Sequence, residues 1–202
     1  MTILPENEVS SISREALLDA FPHVMLDIGY AEMTIQDVLT RAKIGRTTFY
    51  AHFSSKEDLL KASIGRLKST LLLAVKREHH RQATGTTLAF SLHFFEHIIS
   101  HRMIYDSIVA RADFFVVERY FLRMLAELVR QDLASSKQLV EQRNLQSIEV
   151  KIAIQHIVGA IWSLSIWWLE SGGSITADTM NDYFQKLSLP GLEATLGQRV
   201  KA

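Results

Sequence analysis

The chain has 202 residues, and 22 Lys and Arg balance 22 Asp and Glu, so the net charge is zero. That length suits one domain or two small ones, and zero net charge removes any whole-molecule argument for nucleic-acid binding. There is no cysteine, which excludes disulfide frameworks, thiolate metal sites and cysteine nucleophiles and suits a cytoplasmic location.

Met1 to Arg14 lacks a basic start and an apolar run, so no signal peptide is expected. Residues 14–28 place Leu17, Leu18, Phe21, Val24, Met25 and Ile28 at helical spacing, and Gly29 is a C-terminal stop. Pro22 lies inside this pattern, where it is expected to kink the helix or shift its start. Thr34 with Asp37 has the spacing of a helix cap and its reciprocal acid, opening a short helix to Ala42. After Lys43-Ile44-Gly45 a second short helix runs from Arg46 to about His52, with Phe49 and Phe53 four residues apart. Ser55 to Asp58 is another cap signature, opening a helix to about His79. The stretch 82–87 is a boundary, and helices follow near 87–101, 103–110, 114–134, 146–170 and 176–187. No stretch alternates long enough for a sheet, so the fold class is all-α.

Charge is unevenly placed. Residues 1–32 carry one base against six acids, and residues 33–68 carry seven bases against three acids. Inside that basic block, two short helices joined by about three residues have the dimensions of a helix-turn-helix. The second is too short to stand alone, so Phe49 and Phe53 must anchor it. That leaves Arg46, Thr47, Thr48, Tyr50 and His52 facing outward. Arg can fork onto guanine, and Thr can meet a base, a phosphate or a thymine methyl. Thr34 and Lys56, at helix starts, are placed to meet phosphates.

The run from Thr34 to Leu60, with Thr48-Phe49-Tyr50-Ala51-His52-Phe53 and Ser55-Lys56-Glu57-Asp58-Leu59-Leu60, resembles the signature of TetR-family transcriptional regulators. The resemblance covers residues 11–71. It departs at Lys43, where the family usually has Gly, at Gly45, where it has Ser or Thr, and at Thr47, often Gly. It implies a three-helix DNA-binding domain over 11–71, with its helix-turn-helix motif at about 34–53, and a larger helical ligand-binding and dimerisation domain over 83–202. It also implies a repressor that binds an inverted-repeat double-stranded DNA operator as a dimer and answers to a small molecule. A helical ligand-binding or scaffolding protein without specific DNA binding is the alternative.

The remaining patterns are less specific. His93, His97 and His101 recur every four residues, but eight residues span about 12 Å, so one ion cannot take all three; no metal or other cofactor is expected. No nucleophile elbow, P-loop or dinucleotide turn is present, so no enzyme is expected. For a cavity implied by the resemblance, Phe90, His93, Phe94, His97, Tyr105, Phe121, Met124 and Trp162 are candidate contacts to an apolar or aromatic effector; such residues are more often simply core. The 146–170 helix is apolar on both faces, and its uncharged stretch 152–169 reads as a buried helix rather than a membrane span. Ile154, Ile157, Ile161 and Trp168, with Met180 and Phe184, are the expected homodimer interface.

Overall fold

The computed structural model describes residues 6–79, 88–111, 114–135, 146–172 and 174–197. The described residues form nine helices and no strand: α1 (Glu6–Ile28), α2 (Ile35–Ala42), α3 (Arg46–His52), α4 (Lys56–His79), α5 (Phe90–Ser100), α6 (Arg102–Val109), α7 (Phe114–Ser135), α8 (Ile148–Glu170) and α9 (Ala177–Gly197). The boundary expected at 82–87 lies outside the described residues. Two helices outrun the sequence reading. α1 begins at Glu6 rather than near residue 14, and α9 continues through Pro190 rather than stopping at 187.

The chain divides into two compact units. The first runs to Leu67 and takes in Met103–Tyr120; the second takes Lys68–Arg102 and runs on from Phe121. The grouping of Met103–Tyr120 with the N-terminal helices differs from the sequence-based limits, which placed that segment in the second domain.

In the first unit Leu17, Leu18, Phe21, Val24 and Met25 of α1 are buried with Val38 and Leu39 of α2, Phe49 of α3 and Leu59 and Leu60 of α4. Pro22 is tolerated within α1 for a visible reason. It has no N–H to give Leu18 O four residues back. Arg66 of α4 fills that place, donating from Nη2 to Leu18 O at 2.9 Å. Its Nη1 reaches Asp19 at 2.6 Å and Glu15 at 3.2 Å. The C-terminus of α1 is closed in the same way. Arg111 donates to Ile28 O at 2.8 Å and to Leu26 O at 3.2 Å. Ser107 donates to Leu26 O as well. Gly29, at φ +93, lies against the Arg111 side chain, where a Cβ would come within 2.8 Å of it.

In the second unit, Phe95 of α5 sits edge-on to Trp168 of α8 and to Phe184 of α9, at 6.0 and 5.9 Å. Trp168 donates its indole N–H to Ile175 O. Ile154, Ile157, Ile161, Trp168, Met180 and Phe184 are all buried at 2% exposure or less within a single chain. They are core residues, and this corrects their assignment to a subunit interface. Because α8 is apolar on both faces, its core stripe and its outer stripe look alike in sequence. The outer stripe holds Ile148, Ile152 and Trp167, and α9 exposes Tyr183 and Leu187. Among the described residues α8 is the one helix long and apolar enough to cross a membrane, and half of its apolar window is buried inside the protein.

Candidate nucleic-acid interface

The two short helices owe their ends to local chemistry. Thr34 Oγ1 accepts from Asp37 N at 3.3 Å, and Asp37 Oδ2 accepts from Thr34 N at 2.7 Å, closing the reciprocal cap at the start of α2. The Thr34 hydroxyl also donates to that carboxylate. These bonds, the hydroxyl's first, hold the Asp37 carboxyl below the usual carboxylate range. α2 ends at Lys43, which is left-handed (φ 56, ψ 39) and donates its N–H to Leu39 O. Gly45 then precedes α3 in extended conformation and supplies no side-chain cap.

α3 has seven residues and one fully buried side chain, Phe49. Phe49 meets Phe53 at 5.8 Å between ring centres. The anchoring expected from sequence is therefore the observed one. Around that anchor Arg46, Thr47 and Tyr50 are exposed, and Thr48 and His52 are half-buried. Tyr50 lies edge-on to Phe49 with half of its surface open. The start of α4 is fixed by Ser55, which accepts from Asp58 N, and by Asp58, which accepts from Ser54 N.

Lys56 behaves differently from its sequence reading. Its ammonium donates to the carbonyls of Tyr30, Met33 and Ala31 at 2.7, 2.9 and 3.2 Å. It also lies 4.7 Å from the centre of the Tyr30 ring. Three N–H groups meet three carbonyl oxygens, so the charge secures the turn before α2 instead of being held out toward a phosphate. Nothing in the spacing of Lys56 signals this, because its partners lie more than twenty residues upstream. The Arg14 guanidinium lies over the Phe53 ring at 5.5 Å, a contact that no spacing signals. Farther along α4, Glu57 accepts from the Tyr120 hydroxyl and from Lys61, and these bonds, Tyr120's first, lower its carboxyl from the ordinary value.

The family described as bacterial regulatory proteins, tetR family, matches residues 13–63, which takes in most of α1, then α2, the turn, α3 and the start of α4. That stretch is similar to the DNA-binding part of TetR-family regulators. The TetR match is to the N-terminal domain. A Bacillus subtilis (strain 168) protein named uncharacterized HTH-type transcriptional regulator YxbF is 44% identical over 55 residues, which are 27% of this chain and 14% of that protein. Among solved structures, a TetR transcriptional regulator from Streptococcus agalactiae 2603V is similar at TM-score 0.62 and 22% identity, covering 91% of this chain and 97% of that one. The fatty acid degradation regulator FadR from Bacillus halodurans is similar at TM-score 0.66 and 14% identity, covering 88% and 98%. FadR from Bacillus subtilis, in complex with stearoyl-CoA, is similar at TM-score 0.57 and 16% identity, covering 86% and 96%. These likenesses are of fold.

The residues expected to touch an effector do not all share one unit. Phe90, His93, Phe94, His97, Phe121, Met124 and Trp162 belong to the second unit, whereas Tyr105 belongs to the first. Phe121 and Trp162 stack at 5.5 Å with ring planes 26° apart. Phe90, Phe94 and Met124 are buried. Tyr105 is buried too, and burial pushes its hydroxyl pKa up. The histidine stripe splits. His93 Nδ1 meets Glu96 at 3.0 Å. His97 and His101 stack at 4.2 Å, and His101 Nδ1 meets His97 O at 3.0 Å. Burial, and then the neighbouring His101, lower the His97 pKa from 6.5 to about 4. Among the described residues no three His, Asp or Glu side chains come together as a metal site.

Proposed function

We propose that the protein is a ligand-responsive transcriptional repressor of the cytoplasm that binds an inverted-repeat operator as a homodimer. One observation carries this reading. A seven-residue helix is pinned by the buried Phe49, so that Arg46, Thr47, Thr48 and Tyr50 are offered outward together. A residue set of this kind can read base edges with its first turn and touch the backbone with Tyr50, His52 and Thr34. Lys56 acts by holding the turn before α2. Residues 11–71 form the DNA-binding domain of this reading, and 83–202 supply ligand binding and dimerisation. No catalytic role is assigned to the chain.

The homodimer is placed on the outer stripe of the last two helices, through Ile152, Trp167, Tyr183 and Leu187. Large apolar side chains left half or more exposed on two adjoining helices support a two-fold contact. The effector is a small apolar or aromatic molecule held by residues of the second unit. The stacked aromatic pair Phe121 and Trp162 favours this, and α5 carries neither Lys nor Arg for a strong anion. The Bacillus subtilis FadR complex with stearoyl-CoA supports ligand uptake by this fold. Such a ligand acts by preferring the conformation that binds DNA poorly.

The test is fluorescence anisotropy with duplexes from the region upstream of the protein's own gene. Tight, salt-sensitive binding to one segment, competed poorly by unrelated DNA, supports the reading. Equal binding to all duplexes, or none, leaves a helical ligand-binding or scaffolding protein.

A further inference from the structure

The basic block that first pointed to nucleic acid is sorted by the structure into two classes. Arg41 pairs with Asp27 at 2.7 Å, Lys61 with Glu57 at 3.2 Å and Lys68 with Glu127 at 2.6 Å. Arg66 is taken by Leu18 O, Asp19 and Glu15, and Lys56 by three carbonyls. Five of the seven cations between residues 33 and 68 thus have partners within the chain. Lys43 and Arg46 are the remaining two. Among the described residues neither side chain has a hydrogen bond or an ion pair, and both are exposed. They stand three residues apart, one in the turn and one at the first position of α3.

Lys43 also occupies its place against a backbone preference. It sits at φ 56, in the left-handed region that glycine adopts freely and a residue with a Cβ does not. The end of α2 needs that conformation, but nothing there needs a lysine. Only its N–H is used, donating to Leu39 O, and any residue except proline supplies that. A strained position filled by a long, exposed cationic side chain with no hydrogen bond or ion pair in the chain points to a partner outside.

We propose that Lys43 is a phosphate anchor, binding the DNA backbone beside the groove that α3 enters, while Arg46 reads a base. The division follows from chemistry and position. An ammonium on a flexible stem is a point charge that suits a phosphate oxygen and carries little base information, whereas the guanidinium fork matches guanine. The turn precedes the reading helix, so a cation on it borders the groove that the first turn of α3 faces. This rests on the DNA-binding reading above. It adds to it a residue with a role separate from sequence choice, and it moves the phosphate charge from Lys56 to Lys43.

The experiment compares wild type, Lys43→Gly and Lys43→Asn, because glycine and asparagine both accept the left-handed turn without the charge. Thermal unfolding is measured alongside binding to the selected operator and to an unrelated duplex from 50 to 200 mM salt. Lys43→Gly is expected to unfold at a higher temperature than wild type and yet bind both duplexes more weakly by the same factor. The slope of log Kobs against log salt is expected to become shallower by about 0.9 for each subunit. Both variants are expected to select the same operator as wild type. An unchanged slope, a changed base preference or a lower unfolding temperature for Lys43→Gly overturns the proposal while leaving the DNA reading intact. Wild type that binds no duplex overturns both, so the two failures are told apart.

Discussion

Pro22 and Arg66 are predicted to be energetically coupled. Replacing Arg66 by Ala removes the donor to Leu18 O and leaves a part-buried carbonyl whose intrahelical donor Pro22 cannot supply. A hydrogen bond from a charged group to a part-buried acceptor contributes about 1.5–3 kcal/mol. The contacts of Arg66 to Asp19 and Glu15 are at least half exposed on the acid side, so solvent screening leaves them about 0–1 kcal/mol each. Arg66→Ala is therefore expected to cost about 2–3 kcal/mol. In a Pro22→Ala background the new Ala N–H can bond Leu18 O directly, and the same Arg66→Ala substitution is expected to cost about 1–2 kcal/mol less. Urea unfolding of wild type, both single variants and the double variant measures this, at pH 7 and one fixed protein concentration so that dimerisation does not shift the midpoints. If Arg66→Ala costs the same in both backgrounds to within about 0.5 kcal/mol, the carbonyl is not what joins the two residues.

Gly29→Ala is expected to destabilise the first unit by more than about 1 kcal/mol, because φ +93 disfavours a Cβ and that Cβ would displace Arg111 from the carbonyls of α1; urea unfolding measures it. His97 is a base with a folded pKa near 4, below 6.5, so the unfolded chain binds the proton more readily. Its contribution is complete above pH 6.5 and is lost as pH falls from there toward 4, with about 2 kcal/mol gone by pH 5. Wild type is expected to lose that much more stability than His97→Gln between pH 7 and pH 5, and parallel losses would contradict it. Leu187→Asp is expected to yield folded monomers by sedimentation, whereas Ile161→Asp, in the core, is expected to prevent folding. Gly45→Ser is expected to add a few tenths of a kcal/mol by capping α3, since its backbone is already extended and a Cβ meets nothing within 4 Å; thermal unfolding reads this.

The reading helix was legible in sequence because its determinants are local. Thr34 and Asp37, Ser55 and Asp58, and Phe49 and Phe53 each lie within one helical turn, and all three pairs meet. The rest depended on distance along the chain. Lys56 finds carbonyls 23 to 26 residues away, and Arg66 finds Leu18 O 48 residues away, so neither partner shows in a spacing. The outer face of α8 was misread for a different reason. With apolar residues all round, periodicity cannot say which stripe the chain covers, and Trp167 and Trp168 differ only in direction. Segment 103–120 reads as ordinary helix, and its bonds through Ser107, Arg111 and Tyr120 to α1 and α4, in the N-terminal unit, join residues too far apart in sequence to show in a spacing.

A selection of binding sites from random duplexes, run in parallel with wild type and Arg46→Ala, tests the central claim most directly. Wild type is expected to enrich an inverted repeat, and Arg46→Ala to enrich the same repeat with the preference at one base pair of each half-site relaxed by about 1–3 kcal/mol. Wild type enriching no inverted repeat, or the variant showing undiminished preference at every position, would contradict the account.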